Sequence, residues 1–328
     1  MGKPTVIAVA AGGLIGGGAL AAIPTLNPPV DPAFRTTYAV SGDCAAGDLP
    51  LFGGYHAFDT RPTLYHFHPE TTSWNAAPEG LLNEEGEFLP GGPSFTVCLR
   101  VGRSVPHAVR EKAVQGSAPA GAVSCQVDES LLGGGFYYPW GLGGMVGTHP
   151  EAPGRWASAD GPQDPGQSPI NGHVYALCAE LPEGVHTYVT SASATAGETA
   201  TAHCYPGDAV LGGGWSGRGV RGSFPIDGGW TAELSAPGSA YALCYKPSRA
   251  FGLRASYVRS ATGSGDVDVR ATCDSGDAVI GAGWVGGHGF ESLRRFEPVD
   301  GGWSLNLVPE DGGMATAFVL CARPYVKA

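Results

Sequence analysis

The chain has 328 residues, which is long enough for several domains and a sizeable apolar core. Only 15% of the residues are charged, whereas 53 are Gly and 27 are Pro, a composition that favours short strands and tight turns over long helices. The formal net charge of -11 and the lack of a basic run argue against a nucleic-acid partner.

The N-terminal segment, residues 1–23, is typical of a targeting sequence. Lys3 precedes an apolar, Gly- and Ala-rich run from Val6 to Ile23, and Ala19-Leu20-Ala21 offers small residues of the cleavable type. We predict a cleaved signal peptide. A retained membrane anchor and an arm of an intracellularly assembled particle are the alternatives, and we expect membrane association only through this segment. Residues 24–35 then form a Pro-rich spacer.

The rest of the chain contains four copies of one unit, which become visible when every second cysteine is aligned. Four residues after that cysteine there is always an acid, seven residues after it an aliphatic, and eleven residues after it an aromatic. The cysteines are Cys44, Cys125, Cys204 and Cys273, the acids Asp48, Glu129, Asp208 and Asp277, the aliphatics Leu51, Leu132, Leu211 and Ile280, and the aromatics Tyr55, Phe136, Trp215 and Trp284.

Two glycines or Ala-Gly stand between the aliphatic and the aromatic residue of each copy. Such a cluster predicts a strand bulge or the close approach of another backbone, since a Cβ atom would obstruct both. A later Asp-Gly-Gly-Trp, present in the last two copies, predicts a hairpin turn. We place the copies at residues 36–105, 106–184, 185–250 and 251–328.

Each copy ends with an apolar run into a second cysteine, so pairing within the copy is the one scheme that every copy satisfies alike. The predicted disulfides are Cys44–Cys98, Cys125–Cys178, Cys204–Cys244 and Cys273–Cys321. An even number of regularly placed cysteines indicates an oxidising, extracytoplasmic compartment.

Alternating and β-branched stretches run through each copy and predict an all-β fold of about six short strands per copy. We favour four tandem, disulfide-closed antiparallel modules, each a compact sandwich. A four-bladed propeller is the alternative, which six strands per copy make less favourable because a propeller blade usually has four.

The pattern Cys-x3-Asp-x-Val-(Leu/Ile)-Gly-(Gly/Ala)-Gly, with a closing Ala-Tyr-Ala-Leu-Cys, resembles poorly characterised tandem β modules of secreted actinobacterial and phage-associated proteins. The resemblance covers residues 36–326. It implies an extracytoplasmic binding or structural role, and it supplies no catalytic residues. Copy 1 departs from the pattern because Phe52 replaces the first glycine.

Three groups of polar residues are candidate sites. His203 and Ser275 echo protease signatures, but they occupy the Cys-flanking segment of adjacent copies and are not expected to converge. His56, His66 and His68 are candidate metal ligands, with His66 and His68 on one strand face, although surface histidines are the commoner explanation. Asp266, Asp268, Asp274 and Asp277 could bind calcium, but turn formation explains the repeated acid better. We therefore expect no metal and no cofactor.

Aromatic residues supply the candidate binding surface. The repeated Trp215, Trp230, Trp284 and Trp303 are better explained as core, whereas copy 2 has additional aromatics beyond one core position. The predicted surface consists of Phe136, Tyr137, Tyr138, Trp140 and Trp156, next to the insertion from Thr148 to Pro169.

The function predicted from these features is a non-enzymatic extracytoplasmic protein. Its repeated modules would present loops to glycans, to protein surfaces or to further copies of the chain, as in adhesion, surface, filament or virion components. The alternative is an extracellular hydrolase acting on a polymer, with its site in the divergent loops of copies 1 and 2.

Overall fold

The computed structural model describes residues 35–40, 42–56, 64–78, 92–100, 105–138, 145–161, 169–248, 252–265, 267–286, 293–307 and 313–325, so the N-terminal segment lies outside the described residues. These residues form 23 strands and no helix, hence no helix that could cross a membrane. The strands are β1 (Arg35–Val40), β2 (Leu49–His56), β3 (Leu64–Pro69), β4 (Trp74–Pro78), β5 (Ser94–Arg100), β6 (His107–Gly116), β7 (Ala120–Ser124), β8 (Ser130–Tyr137), β9 (Met145–Ala152), β10 (Arg155–Asp160), β11 (Ile170–Ala179), β12 (Thr187–Ala194), β13 (Thr199–His203), β14 (Ala209–Ser216), β15 (Val220–Ile226), β16 (Gly229–Leu234), β17 (Gly238–Tyr245), β18 (Leu253–Ser264), β19 (Asp268–Thr272), β20 (Ala278–Val285), β21 (Leu293–Val299), β22 (Gly302–Leu307) and β23 (Met314–Pro324).

The strands form four antiparallel sheets arranged as a four-bladed β-propeller. Sheet I has the order β1-β5-β2-β21-β22-β19, sheet II β4-β3-β8-β11-β6, sheet III β12-β17-β14-β9-β10-β7, and sheet IV β13-β16-β15-β20-β23-β18. Every sheet therefore combines half of one sequence copy with half of the next. Sheet I closes the ring, because β2 of copy 1 pairs with β21 of copy 4.

Within a copy the two half-sheets pack face to face. In copy 3, β12, β17 and β14 form one layer and β13, β16 and β15 form the other, and the layers contact each other along their length. The arrangement is thus the four-bladed propeller, the alternative prediction from the sequence, and each copy within it is a two-layer sandwich whose layers continue into its neighbours. The blades have five or six described strands: copies 2 to 4 each contribute three strands to each of two blades, whereas copy 1 contributes three to sheet I and two to sheet II.

The four predicted disulfides are confirmed, with Cα atoms 5.6 to 5.7 Å apart. In copies 2, 3 and 4 the first cysteine follows a strand of one layer, and its amide bonds to the turn of that same layer, as Cys204 does to Gly228. In copy 1 the Cys44 amide bonds to Thr72, in the turn between β3 and β4. The second cysteine lies in the other layer, as Cys244 does in β17. Each cystine consequently joins two neighbouring sheets, and the four together link sheets I to IV into a covalently connected ring.

The glycine cluster serves both predicted purposes. The ladder between β14 and β17 shifts register between Val210 and Gly212, which leaves Leu211 as the bulged residue, and the other copies shift at the same place. A Cβ on Gly213 would meet the Trp230 ring at 2.3 Å, and one on Gly214 would meet the Thr148 carbonyl oxygen at 2.0 Å. The middle glycine therefore seats the tryptophan of its own copy, and the last glycine admits the backbone of the preceding copy.

The repeated acid does more than form a turn. The Asp208 amide donates to the Tyr205 carbonyl, as a turn requires. In addition, the Asp208 carboxylate accepts from the Tyr188 hydroxyl at 2.7 Å. The same hydroxyl accepts from the Tyr205 amide at 2.9 Å. Copy 4 repeats this relay with Tyr257 and Asp277. In copy 2 the longer Glu129 accepts directly from the Gln126 amide at 2.9 Å, so that no tyrosine is needed.

Candidate functional site

The connections of the propeller divide between its two ends. One end, here called the cystine face, carries the first cysteines, the hairpin turns such as Asp227-Gly228 and Asp300-Gly301, and the linkers between copies. At the opposite end, here called the variable face, lie the strand ends that bound the other connections: those after β2 and β4 in copy 1, and those after the first, third and fifth strands of copies 2 to 4. Because the strands are antiparallel, these assignments follow from the strand pairing alone.

Length differences between copies are concentrated on the variable face. The connection before the last strand spans residues 79–93 in copy 1, 161–169 in copy 2 and 308–313 in copy 4, but only 235–237 in copy 3. On the cystine face, the segments from first cysteine to next strand are uniform, at 125–129, 204–208 and 273–277. Loops that vary in length on a fixed scaffold are where proteins usually place recognition.

The predicted aromatic surface of copy 2 is wrong for three of its five residues. Phe136, Tyr138 and Trp156 are at most 5% exposed and belong to the core. Tyr137 is half-buried on the opposite face of β8, and Trp140 lies outside the described residues. Successive residues of a strand point to opposite faces of the sheet, so Phe136 and Tyr138 pack into the core while Tyr137 lies on the other face. The aromatic residues of this run therefore do not form a single exposed patch.

The repeated tryptophans are core, as predicted, namely Trp215, Trp230, Trp284 and Trp303. The tryptophan that follows the hairpin turn has a different environment around its indole N–H in different copies. The indole N–H of Trp156 donates to Thr148 at 3.0 Å, and that of Trp230 donates to Ser223 at 2.9 Å. In copies 1 and 4 the position of the hydroxyl residue is taken by Phe67 and Phe296. The indole nitrogens of Trp74 and Trp303 accordingly find no acceptor among the described residues.

The centre of the ring is filled by side chains from all four copies. Phe52, which replaces a glycine, packs against Phe67, Trp74, Phe296 and Trp303 with ring centroids 5.3 to 6.1 Å apart. A cavity of about 80 Å³ remains, walled mainly by apolar side chains, including the four bulged aliphatics. This volume is far below the few hundred Å³ of a usual small-molecule site, so the centre acts as core.

The outer surface of sheet II carries a concentration of ring side chains. His66, Tyr137 and His173 lie side by side on β3, β8 and β11, with successive ring centroids 5.7 and 5.9 Å apart. Below them, His68 stacks on Tyr175 at 4.1 Å across Gly135, which has no side chain to separate them. We refer to these five residues as the His-Tyr surface.

Acids flank this surface at both ends. Glu111 contacts the His173 imidazole, and Glu70 accepts hydrogen bonds from Ser73 at 3.0 Å and Asn75 at 3.2 Å. Burial lowers the pKa of His66 to about 4, with the neighbouring His68 as the next cause, and burial also lowers the pKa of His68. Both imidazoles are therefore neutral near pH 7, with lone pairs available.

The sequence grouped three histidines, and the structure keeps two of them together. His66 and His68 are neighbours, with ring centroids 6.0 Å apart, whereas His56 lies in sheet I beside Arg295 and Glu297. His173, Tyr175, Glu70 and Glu111 were missed as members of this surface. Only the strand register, which the sequence does not reveal, places His173, Tyr175 and Glu111 next to His66 and His68, whereas Glu70 is indicated by its position two residues after His68.

Among the described residues, one group of three potential metal ligands already has its ligand atoms close together, namely Cys125, Glu129 and Cys178. Its two sulfurs are bonded to each other, and its carboxylate is paired with Arg110, so the group is structural. The acids considered for calcium are also engaged: Asp268 by Arg295 and Asn306, and Asp274 by Arg259. Asp266 lies outside the described residues.

A buried acid lies at the variable face of copy 2, where strands β8 and β10 end. Asp160, the last residue of β10, is 5% exposed, and burial raises the pKa of its carboxyl group. Its Oδ1 accepts from the Gly161 amide at 2.9 Å, and its Oδ2 has no partner among the described residues. Tyr138, whose pKa burial raises to about 12, lies nearby.

Comparison with known proteins returns no matching family model and no similar curated protein.

Proposed function

We propose that this chain is a non-enzymatic binding or structural protein that works outside the cytoplasm, at the cell surface or after secretion, and meets glycan or protein partners with its variable face. Four disulfides are consistent with an oxidising compartment. The observation that carries the proposal is that the largest length differences between copies lie at one end of the ring, whereas at the other end the segments from first cysteine to next strand are equally long in all four copies, at 44–48, 125–129, 204–208 and 273–277.

The scaffold suits such a role energetically. Each cystine closes a loop of 40 to 54 residues and contributes about 4 kcal/mol on the chain-entropy model, so the ring resists opening. A rigid framework lowers the entropic cost of holding loops in a binding conformation. Ordinary loops can thereby reach useful affinity without the chemistry of a catalytic site.

The test is to shorten the variable face without touching the ring. In one variant, the connections 79–93 and 161–169 are both replaced by the copy 3 connection, Ser235-Ala236-Pro237. The control variant changes the cystine face instead, by D300N in the hairpin turn, where Asn tolerates the same backbone geometry. Binding to glycan arrays and to isolated cell envelopes is measured for both.

We expect the shortened variant to lose binding at an unchanged melting temperature and the D300N variant to retain it. Full binding by the shortened variant, or loss of binding by D300N alone, would contradict the proposal.

A hydrolase acting on extracellular polymer is the second candidate, and Asp160 is the observation that favours it. A carboxyl group with a raised pKa is suited to act as a general acid. D160N would abolish turnover of a polymer substrate if this candidate were right, and it would leave partner binding unchanged if the first proposal holds.

A further inference from the structure

The His-Tyr surface contains one histidine that the repeat does not account for, next to one that it does. His68, Pro69 and Glu70 recur in copy 2 as His149, Pro150 and Glu151, and His149 stacks on Tyr241 at 3.9 Å just as His68 stacks on Tyr175. His66 has no such counterpart, because the pairing of β9, β15 and β21 puts Gly147, Gly222 and Arg295 at its position. Copy 1 thus adds a second imidazole to a repeated one.

The hydrogen bonds leave ligand atoms free on both imidazoles. His68 Nδ1 lies 3.2 Å from the Pro69 carbonyl oxygen, which fixes the proton on Nδ1 and leaves the lone pair on Nε2. A ring held in this way by a backbone carbonyl is the usual arrangement of a metal-binding histidine. His66 Nε2 is buried without a hydrogen-bond partner among the described residues, a cost that a bound ion would remove.

A carboxylate completes the set. Glu70 is exposed, and its Oε1 accepts from Asn75, which is the cross-strand partner of His68. Its counterpart Glu151 is paired with Arg155 at 2.6 Å, whereas the hydrogen bonds to Glu70 come from the neutral Ser73 and Asn75. The negative charge of Glu70 therefore remains available to a cation.

We propose that His66, His68 and Glu70 bind a divalent transition-metal ion of the zinc class on the outer surface of sheet II. Two imidazoles and one carboxylate are a ligand set that such ions accept, with water completing the coordination. The two ring centroids lie 6.0 Å apart, a separation at which one nitrogen of each ring can reach a common ion. The site is independent of the variable face and of the proposed function.

The experiment is a calorimetric titration of the untagged full-length protein with Zn²⁺ alone. The variants H66F and H68F keep an aromatic ring for packing, and Phe at the position of His68 occurs naturally as Phe224, stacked on Phe318. H149F is the matched control, because it removes a histidine with the same stacking partner type but no second imidazole beside it. E70Q tests the carboxylate.

We expect one zinc ion per wild-type chain, at least about tenfold weaker binding for H66F and H68F, a smaller loss for E70Q, and no change for H149F. In parallel, the ring proton resonances of His66 and His68 should shift on zinc addition to the wild-type protein, a readout that does not depend on any variant folding. No uptake by the wild type, equal binding by H66F, or an equal loss in H149F would overturn the proposal.

Discussion

Copies 3 and 1 lie in the same ring and have diverged in opposite directions. Copy 3 has short connections, the full glycine triplet, and a tryptophan whose indole donates to Ser223. Copy 1 has the longest connection, Phe52 in place of a glycine, and a tryptophan beside Phe67 instead of a hydroxyl. The comparison shows which features the ring requires of every copy, namely the cystine, the last glycine and the hairpin, and which it leaves free to change.

The largest effect is expected from the feature that the two copies share. Removing the copy 3 cystine with C204A and C244A, or the copy 1 cystine with C44A and C98A, should each lower the free energy of unfolding by about 4 kcal/mol. Loops of 40 and 54 residues differ by only roughly 0.3 kcal/mol in closure entropy, so the two losses should be nearly equal. Denaturant unfolding measures both, and a much smaller loss in copy 1 would mean that its cystine no longer constrains the ring.

Within the glycine triplet of copy 3, substitution of Gly212 and of Gly214 by Ala should change the free energy of unfolding by very different amounts. G214A drives a Cβ into the Thr148 carbonyl and should cost about 3 kcal/mol or abolish folding. G212A meets nothing within 4 Å, and copy 1 carries Phe52 at this position, so its effect should stay within about 0.5 kcal/mol. Thermal unfolding of the two variants decides the matter, since equal losses would contradict the assigned contact between copies 2 and 3.

A pH-dependent effect of roughly 2–3 kcal/mol is expected at the junction of copies 2 and 3. Burial lowers the pKa of His149 to about 4, so the folded protein resists a proton that the unfolded chain accepts near pH 6.5. Wild-type stability should therefore fall as the pH drops from about 6.5 to 4, and H149F, which copies the Phe224–Phe318 pair of copies 3 and 4, should lose less over this range. Melting temperatures measured at pH 7 and pH 4 test this, and parallel losses would refute it.

The smallest effect concerns the indole hydrogen bond that copy 3 has and copy 1 lacks. S223A leaves the buried Trp230 N–H without an acceptor and should cost about 1–2 kcal/mol. The control is S193A, whose hydroxyl bonds to Ser239 at the exposed edge and should cost little. If S223A destabilises the protein as little as S193A does, the hydrogen bond between the Ser223 hydroxyl and the Trp230 indole is not an energetic difference between copies 3 and 1.

Much of this architecture could be predicted from the sequence, because periodic features report periodic structure. The cysteine pairs and the bulge recur in all four copies and the Asp-Gly hairpin in the last two, and all three are present. The sharing of each sheet between two copies could not be predicted, since Gly214 indicates a close backbone neighbour without identifying it. The His-Tyr surface escaped detection for the same reason: His66 and His173 lie 107 positions apart and meet only through the pairing of β3, β8 and β11.

The central claim is that the first and last copies pair to close the ring. His56 of β2 and Arg295 of β21 are direct cross-strand partners, and such partners are close enough for a disulfide. The double variant H56C/R295C should therefore form a fifth cystine, recovered as a peptide of copy 1 linked to a peptide of copy 4 under non-reducing conditions. If both new thiols instead remain free to react with an alkylating agent in the oxidised, folded protein, the ring is open and the account is wrong.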